Sequence, residues 1–346
     1  MSSLFTTVLF TAFTATNARP ALVDLFNDWI SQFDIKVHDE SHFSDMFQKW
    51  KINHKFISET NDMNLTYTLG HNEYSGMDTT EFAVYFNLKD VYDSILYDSG
   101  YYDVYTRPHN YHASNNVEAV PASIDWVSKG AVTPVKDQGQ CGSCWSFSTT
   151  GALEGAYYIK NSHLVSFSEQ QLVDCDNLKN GGRDHGCNGG LMDNAFTWIT
   201  KNGGLCTEGD YPYVSGTTKT EGTCTKTCSL VSGSKIAKYV DVLPSSDSAM
   251  MSALAQQPVA IAIQANQQAF QLYKSGVFTG TCGTNLDHGV LAVGYGTDSG
   301  ADYYKVKNSW GPSWGEGGYI RLGRGASYNN GDGQCGMLLE SSYPVL

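Results

Sequence analysis

The reactive side chains of this chain are a thiol, an imidazole and an amide. Cys144 closes the run Gln138-Gly139-Gln140-Cys141-Gly142-Ser143-Cys144 and is followed by Trp145, Ser146 and Phe147. A thiol attacks carbon only as thiolate, and a helix N-terminus with an imidazolium nearby brings its pKa within reach. Gly142 and Ser143 leave room for a substrate backbone to come close. Three histidines follow residue 120, namely His163, His185 and His288. Only His288 stands in a patterned context, Asp287-His288-Gly289-Val290, 144 residues after Cys144. Asn308 opens Asn308-Ser309-Trp310-Gly311, 164 residues after Cys144. Each has a plainer reading: a lone histidine is usually structural, and an Asn before Ser-Trp is usually a turn. Cys141 and Cys144 also form a Cys-x-x-Cys pair, as in half a zinc site or a redox motif. No second ligand pair at finger-like spacing and no small βαβ context accompanies it.

These side chains need elements to hold them. The stretch 145–160 lacks Pro and carries Trp145, Leu153, Ala156, Tyr157 and Ile159, which predicts a helix headed by Cys144. Ser168 and the residues to Cys175 read as a capped helix, and 193–201 as another. From about Lys235 the pattern changes to β-rich runs broken by Gly, at 259–263, 288–295, 303–307 and 318–322. His288 thus enters a strand, in a sheet-like half that follows a helical half. Toward the N-terminus, Leu22 to Ile30 and 43–61 read as helices; Phe43, Met46, Phe47, Trp50, Asn53, His54 and Ile57 recur at helical spacing. Residues 93–119, rich in Tyr, Asn, Asp and Ser, read as an extended linker.

The composition, 41% hydrophobic and 16% charged, is that of a globular protein with a sizeable core. Its net charge of −13 argues against a nucleic-acid partner. Residues 19–120 hold 7 basic and 16 acidic groups, whereas 121–346 hold 15 and 19, so the N-terminal third is a distinct acidic unit. All nine cysteines lie between Cys141 and Cys335, which points to a disulfide-bearing domain made in an oxidising compartment. With Cys144 set aside, eight cysteines remain and spacing leaves their pairing open. Residues 1–18, apolar with small residues before Arg19, fit a secretory signal peptide, and no run is long enough for a membrane anchor. Asn64-Leu65-Thr66 is the one N-glycosylation sequon.

Cys141-Gly142-Ser143-Cys144-Trp145 matches the signature of papain and the cathepsins, and the chain resembles a papain-family, cathepsin L-like cysteine protease over nearly its whole length. His42, Met46, Trp50, Asn53, Ile57 and Asn61 stand where the family's propeptide helix has Glu, Arg, Phe, Asn, Ile and Asn. Gly70, Asn72, Tyr74 and Gly76 stand where its second motif has Gly, Asn, Phe and Asp. The resemblance implies an α+β, papain-like fold of two subdomains with the cleft between them, preceded by a helical prodomain. The expected division is a signal peptide at 1–18, an inhibitory propeptide at 19–120 and a mature peptidase at 121–346, beginning near Pro121. By resemblance, Cys144 is the nucleophile, His288 its acid–base partner and Asn308 the group that orients the ring. Trp310 shields the Asn–His bond, and Gln138 completes an oxyanion hole. Gly189 and Gly190 become a platform for the substrate backbone. Leu191, Met192, Ala262 and Leu286 wall the S2 pocket, Glu340 floors it, and Trp314 joins the substrate-binding surface. The implied disulfides are Cys141–Cys187, Cys175–Cys224 and Cys282–Cys335, leaving Cys206 and Cys228 to pair.

The function expected is that of a zymogen of a cysteine endopeptidase. It needs no cofactor or metal, acts as a monomer on protein or peptide substrates, and has its own propeptide as intramolecular inhibitor. Its expected place is the secretory pathway, ending in a lysosome or vacuole or outside the cell. Two rivals are an inactive papain-fold binding protein and another Cys–His acyl-transfer enzyme such as a glutaminase or transglutaminase.

Overall fold

A computed structural model describes residues 21–88, the backbone of 111–112, and 120–346. The expected signal peptide and nearly all of the expected linker fall outside the described residues. Helix α1 (Leu22–Gln32) and the 22-residue α2 (Glu40–Asn61) open the described chain. Asp39 caps α2 by accepting from the His42 N–H, so the helix starts three residues before its apolar pattern does. The faces carrying Phe26, Trp29, Met46 and Trp50 close into a small aromatic core. Met46 and Gly76 explain each other. A Cβ at Gly76 would lie 2.6 Å from Met46 and 2.8 Å from Trp29, so apolar packing occupies the positions where the family's motifs carry Arg and Asp. Lys49 joins the helices instead, bridging Asp45 and Glu81. Strand β1 (Tyr67–Leu69) and α3 (Thr79–Tyr85) follow; α3 carries a full capping box from Asp78 and Glu81.

Beyond β2 (Tyr111–His112) and β3 (Ile124–Asp125) comes the helical half: α4 (Cys144–Asn161), α5 (Glu169–Cys175), α6 (Met192–Asn202) and the one-turn α7 (Ser215–Thr218). Helix α4 is buried from Cys144 to Tyr157, because later elements wrap every side of its first four turns. The other half comprises β4 (Lys238–Val242), α8 (Asp247–Gln256), β5 (Val259–Ile263), α9 (Gln268–Gln271), β6 (Tyr273–Phe278), β7 (His288–Asp298), β8 (Ala301–Lys307), β9 (Tyr319–Gly323) and β10 (Ser341–Val345). The strands run in the order β1-β6-β9-β8-β7-β5-β10-β4-β2, with β3 paired to β7. The fold is therefore papain-like, as the sequence implied.

Periodicity missed α8 inside the β-rich region. Ser246 caps it, accepting from the Ala249 N–H, and Met250, Ala253 and Leu254 bury one face. It also missed β1, β4, β6 and β10, whose ladder partners lie far away in sequence. Strand β1 belongs to the N-terminal segment yet pairs antiparallel with β6, placing Tyr67 opposite Gly276 and Leu69 opposite Tyr273. Gly276 has φ +91°, and a Cβ there would lie 2.4 Å from the Thr66 carbonyl oxygen; only glycine lets the two segments meet. The main core runs without a break from Tyr74, Phe82 and Phe86 into Phe270, Trp310 and Trp314. Disulfides join Cys141–Cys187, Cys175–Cys224, Cys206–Cys228 and Cys282–Cys335; Cys144 stays free. Among the described residues no helix is long and apolar enough to cross a membrane, and no cluster of metal-ligating side chains occurs.

Candidate active site

Cys144 is the first residue of α4, so its thiol sits at the positive end of the helix dipole. Its N-cap, Ser143, does not cap with its side chain; that hydroxyl bonds the Tyr213 hydroxyl at 2.7 Å. Tyr213 in turn donates to the Gln138 carbonyl at 2.7 Å, holding the loop that carries Gln138 against the helix start. Gln138 is fully buried. Its Oε1 accepts from Ser309 at 2.7 Å and its Nε2 donates to the Cys141 carbonyl at 3.1 Å, which fixes the amide beside the head of α4.

His288 opens β7, directly across a ladder rung from Ile263. Its Nε2 lies 2.7 Å from Asn308 Oδ1, and the Asn308 oxygen also accepts from the Ser309 N–H. This oxygen can only accept, so Nε2 carries the proton and Nδ1 is left as the reactive nitrogen. Among the described residues Nδ1 makes no hydrogen bond. The indole of Trp310 stacks on the imidazole at 4.6 Å between centroids, sealing the His–Asn bond from water.

Burial sets the protonation states in this closed form. It pushes the Cys144 thiol up to about 11, against the Gly289 and Trp145 N–H groups, which favour the thiolate. It pulls His288 down to about 4, against its bond to Asn308. In this form burial thus opposes the thiolate and the imidazolium alike. The N-terminal segment packs close by. Phe86 stacks on the Trp310 indole at 4.7 Å, Phe82 meets its edge, and Asn87 donates to the Cys187 carbonyl at 2.9 Å. A Cβ at Gly142 would fall 2.6 Å from that Asn87 amide, so the N-terminal segment lies against the floor of the cleft.

The remaining expected residues divide. Gly190 lies against Trp145, where a Cβ would be 2.6 Å from the indole, and Gly189 has φ +107°. Leu191 precedes α6, and Met192 Sδ is 3.3 Å from where a Cβ at Gly289 would be. Ala262 pairs with Gly289, and its N–H donates to the Glu340 carbonyl at 3.0 Å. Leu286 is buried one residue before Asp287. Met192 and Ala262 thus meet at Gly289, next to His288, and Glu340 is half-buried. Trp314 does not present a binding face in this form. It is fully buried against Phe270, Tyr273 and Trp310, and its indole donates to the Gln271 carbonyl. Asn64 is exposed, at φ +52°.

One group of positioning residues went unread in the sequence. Lys136 bridges Glu169 at 2.6 Å and Glu154 at 3.1 Å, joining the entry segment to α4 and α5. Lys307, which immediately precedes Asn308, reaches into the same buried cluster and donates to Thr133 at 3.0 Å. Burial favours neutral amines at both. The two glutamates outweigh it at Lys136, whose pKa is raised, whereas Lys307 falls to about 8. The four side chains come from sites up to 171 residues apart, and no local pattern marks them.

Residues 120–345 match the papain family cysteine protease profile, and residues 26–82 the cathepsin propeptide inhibitor domain (I29). The chain is 45% identical over 327 residues to cysteine protease XCP2 of Arabidopsis thaliana, covering 94% of this chain and 86% of that one. The Amb a 11 cysteine protease, a ragweed pollen allergen solved in its proform, superposes with a TM-score of 0.81 at 39% identity, covering 94% of each chain. Digestive procathepsin L 3 of Tenebrio molitor superposes at 0.79 and 34% identity, over 95% of this chain and all of that one. With a cysteine-headed helix facing a His–Asn pair beneath a docked inhibitory segment, this chain belongs to the papain family of cysteine proteases and is made as a proform with its own inhibitory propeptide.

Proposed function

We propose that the mature enzyme, beginning near Pro121, is an endopeptidase that cuts peptide bonds through a Cys144 thioester. The observation that carries this reading is the 2.7 Å bond from His288 Nε2 to Asn308, which leaves Nδ1 free to exchange a proton with the thiol and the leaving amine. When the propeptide leaves, water reaches the site and the charged forms of Cys144 and His288 become affordable. Cys144 Sγ then bonds the scissile carbonyl carbon while its oxygen takes the charge. The Cys144 N–H and a Gln138 Nε2 proton stabilise that oxyanion. As the C–N bond breaks, the His288 imidazolium gives its proton to the departing amine. Water then attacks the thioester, yielding a proton to His288 and restoring the thiolate. No step calls for a cofactor.

Gly189 and Gly190 suit a substrate backbone, and Leu191, Met192, Ala262 and Leu286 suit an apolar P2 side chain. Half-buried Glu340 adds acceptance of a basic one. Only eleven residues separate Cys175 from Cys187, too few for a loop that would close off one end of the cleft, which favours endopeptidase action. Four disulfides fit an oxidising route to a lysosome, vacuole or the cell exterior. Acid-processed enzyme is expected to cleave Phe-Arg fluorogenic peptides and to bind one equivalent of an epoxide thiol inhibitor. Processed protein that takes up the inhibitor but cuts no internal peptide bond would instead favour the Cys–His acyl-transfer rival.

A further inference from the structure

Trp50, His54 and His71 form a three-ring stack where the propeptide helix meets the loop that clamps the enzyme. Trp50 lies 4.6 Å from His71 and 4.8 Å from His54, and the two imidazoles lie 5.2 Å apart with planes 8° from parallel. His54 Nδ1 and His71 Nε2 are 2.9 Å apart. Such a contact holds one proton between two nitrogens; once the pair has taken up a second proton beyond its neutral form, two N–H groups and two positive charges stand face to face. The other nitrogen of His71, Nδ1, is buried without a hydrogen-bond partner.

The neighbours of these two residues grip the enzyme. Asn72 donates to the Gln271 carbonyl at 2.7 Å and accepts on its own carbonyl from Trp29. Asn53 donates to the Ser75 and Met77 carbonyls and accepts from Gln268 at 2.8 Å. Gln271 donates back to the carbonyls of Tyr74 and Met77. Separating α2 from the 70–77 loop therefore undoes the docking on α9. We propose that His54 and His71 are an acid-operated latch: uptake of a second proton by this pair parts α2 from the 70–77 loop and frees the propeptide from the mature enzyme.

Other charges around the latch are few. Burial and the proximity of His54 pull His71 down to about 4. Across the interface the Lys274 stem lies against Gly70, 3.1 Å from where a Cβ would be, adding a cation and no compensating anion. On α2, Lys51 lies over Phe47, and Lys55 pairs with Glu59 at the surface. Glu73, on the same loop, bonds Ser313; burial, with Asp137 nearby, raises its carboxyl. Burial likewise raises Asp137. These two carboxyls work in the opposite direction, since protonating them suits the closed form. His288 works with the latch, because it too is held neutral by burial in the closed form.

The sign follows from linkage. A histidine held neutral in the closed form adds stability that is whole above about pH 6.5 and is lost as pH falls toward 4. Each such group contributes about one proton to the slope of the opening constant, a tenfold change per pH unit.

The inference rests on the propeptide acting as inhibitor but not on catalysis, so the test uses the full chain with Cys144→Ala, which cannot process itself. Hydrogen exchange of the 70–77 amides from pH 7 to 4 gives the opening constant. Adding His54→Leu and His71→Leu is expected to lower the slope by about one proton and move the opening midpoint at least one pH unit downward, leaving the His288 contribution in place. An unchanged slope and midpoint overturns the latch. A second measurement needs no substitution at the pair: the His71 ring proton resonances of the Cys144→Ala chain are expected to stay those of a neutral ring until opening begins. Titration of His71 near pH 6.5 within the closed form also overturns it. Processing that fails in the active chain while the slope changes as expected would count against the protease reading and leave the latch standing.

Discussion

At Glu340 the proposed S2 pocket gains a single carboxylate. Its carbonyl is fixed by the Ala262 N–H, so the residue is held beside the apolar walls of the proposed pocket. A charged hydrogen bond donated by a bound guanidinium to Glu340 is worth about 1.5–3 kcal/mol. Glu340→Ala is expected to lower kcat/KM for Arg-Arg substrates roughly ten- to hundredfold while leaving Phe-Arg substrates nearly unchanged. Equal loss on both, measured side by side on the processed enzyme, would remove Glu340 from the pocket. The residues themselves stood out because Cys144, His288 and Asn308 lie in distinctive local contexts. Lys136, Glu154, Glu169 and Lys307 did not, since a charged residue reads as solvated surface until another element buries it.

At the scale of elements, the propeptide is organised by apolar packing where the family's motifs carry Arg and Asp. Gly76→Asp would set a carboxylate against the apolar side chains of Met46 and Trp29. Overpacking of this kind costs about 1–3 kcal/mol before the charge is counted. The variant is expected to release its propeptide at higher pH than the parent, seen as processing that begins earlier in a pH series; an unchanged series would show that the loop yields without loss. In the mature part, Cys206–Cys228 closes a loop of 22 residues between α6 and the strands. Replacing both by Ser is expected to remove about 2–4 kcal/mol of stability, read as a lower unfolding midpoint, with peptide cleavage retained. A loss of activity without a fall in midpoint would contradict that separation. These elements were only partly legible. The helices announced themselves through caps and period, whereas short strands such as β1 and β10 exist because a distant partner completes their ladder.

For the whole molecule, the propeptide packs on Trp310 and the Cys187 carbonyl beside the cleft, and burial in this form opposes charging of both Cys144 and His288. A thiol near pKa 11 is ionised to only about one part in ten thousand at pH 7. Alkylation of Cys144 by iodoacetamide is therefore expected to be at least about a hundredfold slower in the full chain than in processed enzyme at pH 7. In the full chain the rate should climb about tenfold per pH unit up to pH 9. Equal rates in the two forms would mean that the propeptide blocks substrate without altering the thiol.

The sequence by itself determined the family, the candidate triplet of Cys144, His288 and Asn308, and the order of a helical half before a strand-rich half. Those rest on local signals: residue types in a fixed run, a cap, a period. It also showed that His42, Met46 and Gly76 depart from the propeptide motifs, without showing what replaces the lost contacts. Only the tertiary structure decided that Met46 packs over Gly76, that Trp314 is covered, that His54 meets His71 across 17 residues, and that four charges gather behind Asn308. Each depends on which distant surfaces exclude water from each other, and that is settled by packing in three dimensions rather than by the order of residues along the chain.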